Sequence, residues 1–271
     1  MTDDVRREDR NGVARITLNR PDAGNAMTAA MRNQISDWLD GISADAAVRA
    51  VVITGAGEKG FCTGADLRGG GPAAAAKPEG APERIVGDAA RVIRTGWQRL
   101  ITAVLDCEKP VIAGVNGTAA GGGCNLVLAC DLVIMAEEAR LIEVFIRRGI
   151  IPDAGGCYLL PRLVGPQRAK ELMFFGDDVS AAEAERIGLA NRVVPRAELD
   201  KTLTEWSERL ATLPTKAIGL TKGLINRSFE SSRQAAFAEE AWAQELVTGT
   251  EDSREGMLSF AERRPPQFKG W

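Results

Sequence analysis

Val51–Leu67 reads VVITGAGEKGFCTGADL. Its first part, extended back to Arg49, runs through Ala50, Val51, Val52, Ile53 and Thr54, an apolar and β-branched stretch bounded by glycine that predicts a buried strand. Gly55, Gly57 and Gly60 then match the spacing G-x-G-x-x-G of a dinucleotide-binding turn. That reading needs a helix at the third glycine, whose N-terminus meets the pyrophosphate, and an acidic residue on the next strand about 20 residues on. Here the chain continues Phe61-Cys62-Thr63-Gly64-Ala65-Asp66-Leu67 and enters a stretch of glycine, alanine and proline. No amphipathic helix begins there, and no second strand is expected to carry the acid. The dinucleotide reading fails on its context.

Working outward, Val111–Leu126 reads VIAGVNGTAAGGGCNL. Val111 to Val115 predicts another buried strand, and Gly121-Gly122-Gly123 opens a short apolar helix near Cys124. Asp131 to Met135 returns as a strand. Upstream, Val13 to Leu18 reads as a strand ending in the turn Asn19-Arg20-Pro21-Asp22. Thr28 can cap a helix whose apolar residues Met31, Ile35, Leu39 and Ile42 recur at helical spacing. Ile85, Ala89, Val92, Ile93, Leu100 and Val104 predict a long amphipathic helix up to Asp106. Between the strands and this helix, Gly69 to Pro82 is expected to be a surface loop. Beyond Asp153 the pattern is almost wholly helical. Strands with helical crossovers, followed by helices alone, predict an α/β core over residues 1–195 and a helical C-terminal region of the same domain over residues 196–271.

Composition narrows the chemistry. The 271 residues contain no histidine, which excludes a Ser-His-Asp or Cys-His nucleophile pair and most zinc sites. The five cysteines, Cys62, Cys107, Cys124, Cys130 and Cys157, form no C-x-x-C pair and read as small buried apolar residues of a reducing compartment. Tyr158 is the single tyrosine. An acid or base must therefore be Asp, Glu, Lys or this phenol. A net charge of −3 gives no basic excess for nucleic acid, and no apolar run is long enough for a membrane. The charged start MTDDVRREDR has no apolar core of a signal peptide, so a cytoplasmic location is expected.

Four segments together resemble the crotonase family of enoyl-CoA hydratases and isomerases. They are Leu18–Met27 (LNRPDAGNAM), Val51–Leu67, Val111–Leu126 and Arg147–Gly165 (RRGIIPDAGGCYLLPRLVG), and the likeness runs from Val13 to Arg263-Arg264-Pro265-Pro266. The resemblance implies a spiral of ββα units, assembly as a homotrimer or a homohexamer built as a dimer of trimers, and an acyl-CoA substrate. It implies that the backbone N–H groups of Ala65 and Gly122 hold the thioester oxygen as an enolate forms. It places Arg20, Ala26, Asp66, Leu67, Arg68, Gly121, Asn125 and Phe145 around the substrate. Arg20 and Arg68 are then candidate partners for the CoA phosphates, as are Lys269 and Arg263-Arg264. Asp66 reads as a structural carboxylate of its own turn. The loop over 69–82 would lie beside the thioester as a lid. No metal and no separate cofactor are implied, since CoA belongs to the substrate.

One departure from the family decides the chemistry expected. Hydratases of the family carry one glutamate directly after the GGGC turn and a second twenty residues on. Those positions are Asn125 and Phe145 here, so neither acid is present. Asp153 matches the aspartate of isomerase, dienoyl-isomerase and dehalogenase members, and one carboxylate suffices to move a proton between two carbons. Asp153 could instead cap the helix that follows it. Glu143 is a second candidate acid. Double-bond isomerisation is the expected reaction, with hydration by a single acid and a non-catalytic acyl-CoA-binding paralogue as the rivals.

Overall fold

The apolar runs become parallel strands covered on both faces, the setting in which strands lose their alternation. The computed structural model describes residues 3–66, 79–82 and 86–271. Leu67, Arg68 and the part of the expected lid over 69–78 therefore lie outside the described residues.

The chain starts with a hairpin, β1 (Val5–Arg10) and β2 (Val13–Leu18), paired antiparallel. Asn11 and Gly12 make its turn at φ +52° and +76°, the conformation that a two-residue hairpin requires. Helix α1 (Ala29–Ala44) follows, its N-terminus capped by the Thr28 hydroxyl, which accepts the Met31 N–H at 3.3 Å. Three strand pairs then repeat the same plan. β3 (Ala50–Gly55) and β4 (Gly60–Cys62) lead to α2 (Asp88–Ile93), a π-helical turn (Arg94–Gln98) and α3 (Arg99–Asp106). β5 (Val111–Val115) and β6 (Thr118–Ala120) lead to α4 (Gly122–Ala129). β7 (Leu132–Ala136) and β8 (Arg140–Ile142) lead to a 3-10 turn (Val144–Arg148), α5 (Gly156–Val164) and α6 (Pro166–Phe175).

Each pair gives its first strand to one sheet and its second to another, which is the ββα spiral. The larger sheet runs β1-β2-β3-β5-β7 and the smaller runs β4-β6-β8. β9 (Asp178–Ser180) joins β8 antiparallel. After α7 (Ala181–Arg186), β10 (Arg192–Val194) closes the larger sheet parallel to β7. The fold is α/β, with helices α8 (Arg196–Ala211), α9 (Thr215–Ser228), α10 (Arg233–Thr248) and α11 (Glu251–Glu262) completing the chain. Of these, α8 packs on β3, β5 and β7 through Leu199 and Leu203, and so belongs to the core by contact. Among the described residues no helix is long and apolar enough to cross a membrane.

Two expectations need correcting. A second strand does follow Gly55–Gly60, but it is the three-residue β4 and it joins the other sheet. The glycines thus turn one strand into another: a Cβ on Gly55 would stand 2.6 Å from the Gly60 carbonyl oxygen. The long helix up to Asp106 is described only from Asp88, and it widens into the π turn that places Trp97 in the core at 6% exposure.

Candidate active site

The site forms where the ends of β4 and β6 meet the start of α5. Gly64 leaves β4 at φ +99°, and a Cβ there would lie 3.1 Å from the Ala120 carbonyl oxygen and 3.7 Å from the Gly122 nitrogen. The two turns therefore touch. Ala65, the next residue, pairs with Met27 in a short bridge: the Met27 N–H donates to the Gly64 carbonyl at 2.8 Å, and the Asp66 N–H to the Met27 carbonyl at 3.0 Å. That pattern leaves the Ala65 N–H pointing out of the bridge. Gly122 is the first residue of α4, so its N–H has no helical acceptor. Among the described residues neither N–H meets an acceptor. Two donors beside a helix N-terminus form a setting for developing negative charge.

The glycines of α4 are demanded by packing. A Cβ on Gly122 would stand 2.6 Å from the Trp97 ring, and one on Gly123 would overlap the Cys62 carbonyl oxygen. Gly121, at φ +54°, lies against Phe145, whose ring would be 3.6 Å from an added Cβ. The site is thus walled by Trp97 on one side and Phe145 on the other.

Asp153 sits where α5 begins. Its capping alternative is not realised: the cap residue of α5 is Gly155, with no side-chain cap bond. The Gly156 N–H instead donates to the Asp153 main-chain carbonyl at 3.1 Å. Asn125, fully buried, donates its Nδ2–H to that same carbonyl at 2.8 Å. Gly156 makes room, since a Cβ there would lie 2.8 Å from the Asn125 amide. Asn125 therefore fixes the backbone that carries Asp153. The Asp153 carboxyl is half-buried, and burial raises its pKa while the charge of Arg32 and its own backbone N–H oppose the rise.

The other expected residues fall in three groups. Arg20 donates through Nη1 to the Ala26 carbonyl at 2.6 Å and through Nη2 to Asp66 at 2.7 Å. Arg20, Ala26 and Asp66 thus brace the bridge that presents Ala65, and Asp66 pairs with Arg20, 46 residues away. Glu143 is buried, and among the described residues both its oxygens lack a hydrogen-bond partner. Burial pushes its pKa up to about 7; the nearby Cys124 thiol opposes the rise and the charge of Asp153 adds to it. At the C-terminus, Arg264 is held by Glu255 through two bonds of 2.6 and 2.8 Å. No three His, Cys, Asp or Glu side chains among the described residues converge as a metal site.

Two residues of the site were not anticipated. Arg32 is 7% exposed, donates through Nη1 to the Met27 carbonyl at 3.2 Å, and lies 5.1 Å over the Trp97 ring. Its signal was in the sequence, because position 32 falls on the apolar stripe Met31, Ile35, Leu39 and Ile42 of α1. An arginine on the buried side of a helix is a functional clue. Trp97 carried no comparable mark.

Comparison with known proteins agrees with this fold. The family model described as enoyl-CoA hydratase/isomerase matches residues 8–271. A probable enoyl-CoA hydratase of Rhodobacter capsulatus is 38% identical over 266 residues, covering 98% of both chains. The 1,2-epoxyphenylacetyl-CoA isomerase of Escherichia coli is 36% identical over 260 residues, covering 96% of this chain and 95% of the other. The crystal structure of an enoyl-CoA hydratase from Bacillus anthracis superposes with a TM-score of 0.88 at 35% identity, covering 99% of this chain and 100% of that one. With the ββα spiral, the paired glycine turns and a match over nearly its whole length, this chain belongs to the enoyl-CoA hydratase/isomerase family and is an enzyme of the crotonase superfamily.

Proposed function

We propose that the protein isomerises an enoyl-CoA thioester, moving a double bond by proton transfer through Asp153. The observation that carries this reading is the Asp153 carboxyl, which caps nothing and whose backbone is pinned by Asn125. The carboxylate takes a proton from the α- or γ-carbon, and the electron pair moves onto the thioester oxygen as a dienolate. The N–H groups of Ala65 and Gly122 hold that oxygen, each donor contributing roughly 2.7–4 kcal/mol of barrier lowering in comparable sites. The electrons then return, the same proton goes to the other carbon, and the carboxylate is regenerated. The step is redox-neutral and consumes no water, so CoA within the substrate is the only carrier it requires.

Asp153→Asn tests this. The amide keeps the shape and removes the base, so turnover of a 3-enoyl-CoA is expected to fall roughly 100- to 10,000-fold with acyl-CoA affinity retained. Exchange of substrate α- or γ-protons into heavy water, followed by NMR, is expected to vanish with it. Persisting exchange and turnover would move the proton transfer to another group.

Hydration is the second reading, favoured by relatives named as hydratases. Against it stand Asn125, whose Nδ2–H is committed to the Asp153 carbonyl and which cannot take a proton as a glutamate would, and Phe145, which can only wall the site. Rapid loss of the conjugated enoyl absorbance of crotonyl-CoA in water would favour hydration over isomerisation. We propose also that the chain works as a homotrimer, alone or doubled into a hexamer, because its C-terminal helices present large apolar residues.

A further inference from the structure

Arg32 and Trp97 form a buried pair that the proton transfer above leaves without a task. Arg32 stands among the apolar residues of α1, and Trp97 stands on the π turn Arg94–Gln98, a kind of helix widening often found at functional sites. Gly96 of that turn gives the guanidinium its room: a Cβ there would lie 3.5 Å from both Nε and Nη2 of Arg32. The guanidinium carbon is 5.1 Å from the centroid of the Trp97 ring, within the range of a cation–π contact. Among the described residues Nε has no hydrogen-bond partner. A buried guanidinium with an unpaired donor costs stability that an apolar residue on this stripe would not. A task at the site gives such a residue its reason.

One arm of the pair reaches each half of the N–H couple. On the first side, Arg32 Nη1 donates to the Met27 carbonyl at 3.2 Å. That carbonyl also accepts the Asp66 N–H at 3.0 Å, while the Met27 N–H donates to the Gly64 carbonyl at 2.8 Å. Met27 thus brackets Ala65, and Arg32 holds Met27. On the second side, the edge of the indole occupies the place of a Gly122 side chain. Its carbons Cε2, Cζ2 and Cη2 lie 2.6–2.7 Å from where a Cβ would stand. The cation–π contact joins the two sides.

We infer that Arg32 and Trp97 are positioning residues for the oxyanion site: together they fix the Ala65 and Gly122 N–H groups relative to each other. This rests on the proposed holding of the thioester oxygen by those two groups. Donors fixed in advance lower the barrier because nothing has to reorganise as charge develops. Most of an acyl-CoA lies away from that oxygen, so a looser brace is expected to lower kcat and leave KM nearly unchanged. Lysine is a poor substitute, since it can donate to Met27 but has no planar face to lay on the indole.

The test compares the full-length wild-type enzyme with Arg32→Met, Arg32→Lys and Trp97→Leu. The first readout is the infrared carbonyl stretch of bound butyryl-CoA labelled with carbon-13 at the thioester carbon, a saturated ligand that has no double bond to move. Hydrogen bonds to that oxygen lower the frequency relative to the free thioester in water. The second is the split between kcat and KM for a 3-enoyl-CoA. Arg32→Met is expected to remove roughly half of the frequency shift and to lower kcat roughly 10- to 100-fold, with KM changed less than about threefold. Arg32→Lys is expected to recover part of both losses, and Trp97→Leu to move both in the direction of Arg32→Met. A full wild-type shift in Arg32→Met and Trp97→Leu would overturn the inference and leave the pair as packing. Should Arg32→Met not fold, Trp97→Leu decides alone by the same criterion. The readings beneath the inference fail in distinguishable ways. No shift in the wild type would overturn the oxyanion site and this inference with it. Full turnover in Asp153→Asn would overturn the proton-transfer reading, while the carbonyl frequency still decides the role of Arg32 and Trp97.

Discussion

Glu143 lies two residues before Phe145, but the two side chains have different surroundings. Phe145 walls the glycine turn, whereas Glu143 lines a small cavity of about 10 Å³ with Cys124, Leu128, Leu160 and Leu172. That is near the lower limit for one water molecule. A carboxyl in such surroundings favours its acid form, and its pKa stands at about 7 against an ordinary 4.5. The folded state therefore holds this proton more tightly than the unfolded chain does. Its contribution is complete below about pH 4.5 and is lost as pH rises through about 7, a swing on the order of 3 kcal/mol. Glu143→Gln is expected to flatten the stability of the protein between those pH values, as read by urea unfolding at several pH values. The buried amide still lacks a partner, so the slope, not the absolute stability, is the diagnostic. An unchanged slope would mean that Glu143 is already hydrated or paired. Sequence reading had Glu143 as a candidate acid, and nothing in sequence tells which way a side chain beside a 3-10 turn will face.

Among the elements, legibility followed burial. β3 and β5 are buried along nearly their whole length, and their runs VVIT and VIAGV could be read directly. The smaller sheet could not, because β4, β6 and β8 have three residues each, too few to show a period. β1 was missed for another reason: VRREDR has one buried residue, and among the described residues it pairs only with β2. The Asn11-Gly12 pair was its readable mark. In the site, the glycine turns were legible because their spacing is carried by local sequence, whereas Asp153 was singled out only through the family resemblance. The Arg32–Trp97 contact joins positions 65 residues apart and has no local period. Helix α1, which carries Arg32, was read from its apolar stripe and its cap. Thr28→Ala removes the hydroxyl that accepts the Met31 N–H and should cost about 1 kcal/mol of unfolding free energy, with Thr28→Ser retaining most of it. Equal stability of the two variants and the wild type would show that packing alone sets the start of α1.

At the scale of the whole molecule, the C-terminal helices look unfinished in a single chain. α10 has sixteen residues and none of them is buried. Its Phe237, Trp242 and Leu246 are 62%, 72% and 65% exposed, and Phe260 on α11 is 86% exposed. An isolated helix of this length is marginal in water, and helices in proteins draw most of their stability from a packed apolar face. Ile225 and Phe229 extend the apolar surface to α9, beside a groove of about 550 Å³ that also takes in Tyr158 and Leu163. Exposed apolar surface of this kind is characteristic of a protein–protein contact. The twofold alternative to a trimer would need the same patch on both partners, whereas a threefold ring joins two different patches head to tail. The trimer proposed above takes the second arrangement. Sedimentation velocity is expected to show three copies, or six, of the 29.0 kDa chain. Trp242→Glu, on a helix remote in sequence from Asp153, should shift that distribution toward smaller species and lower the melting temperature in a concentration-dependent way. A monomer at micromolar concentration, with a melting temperature independent of dilution, would show that α10 is held by the chain alone.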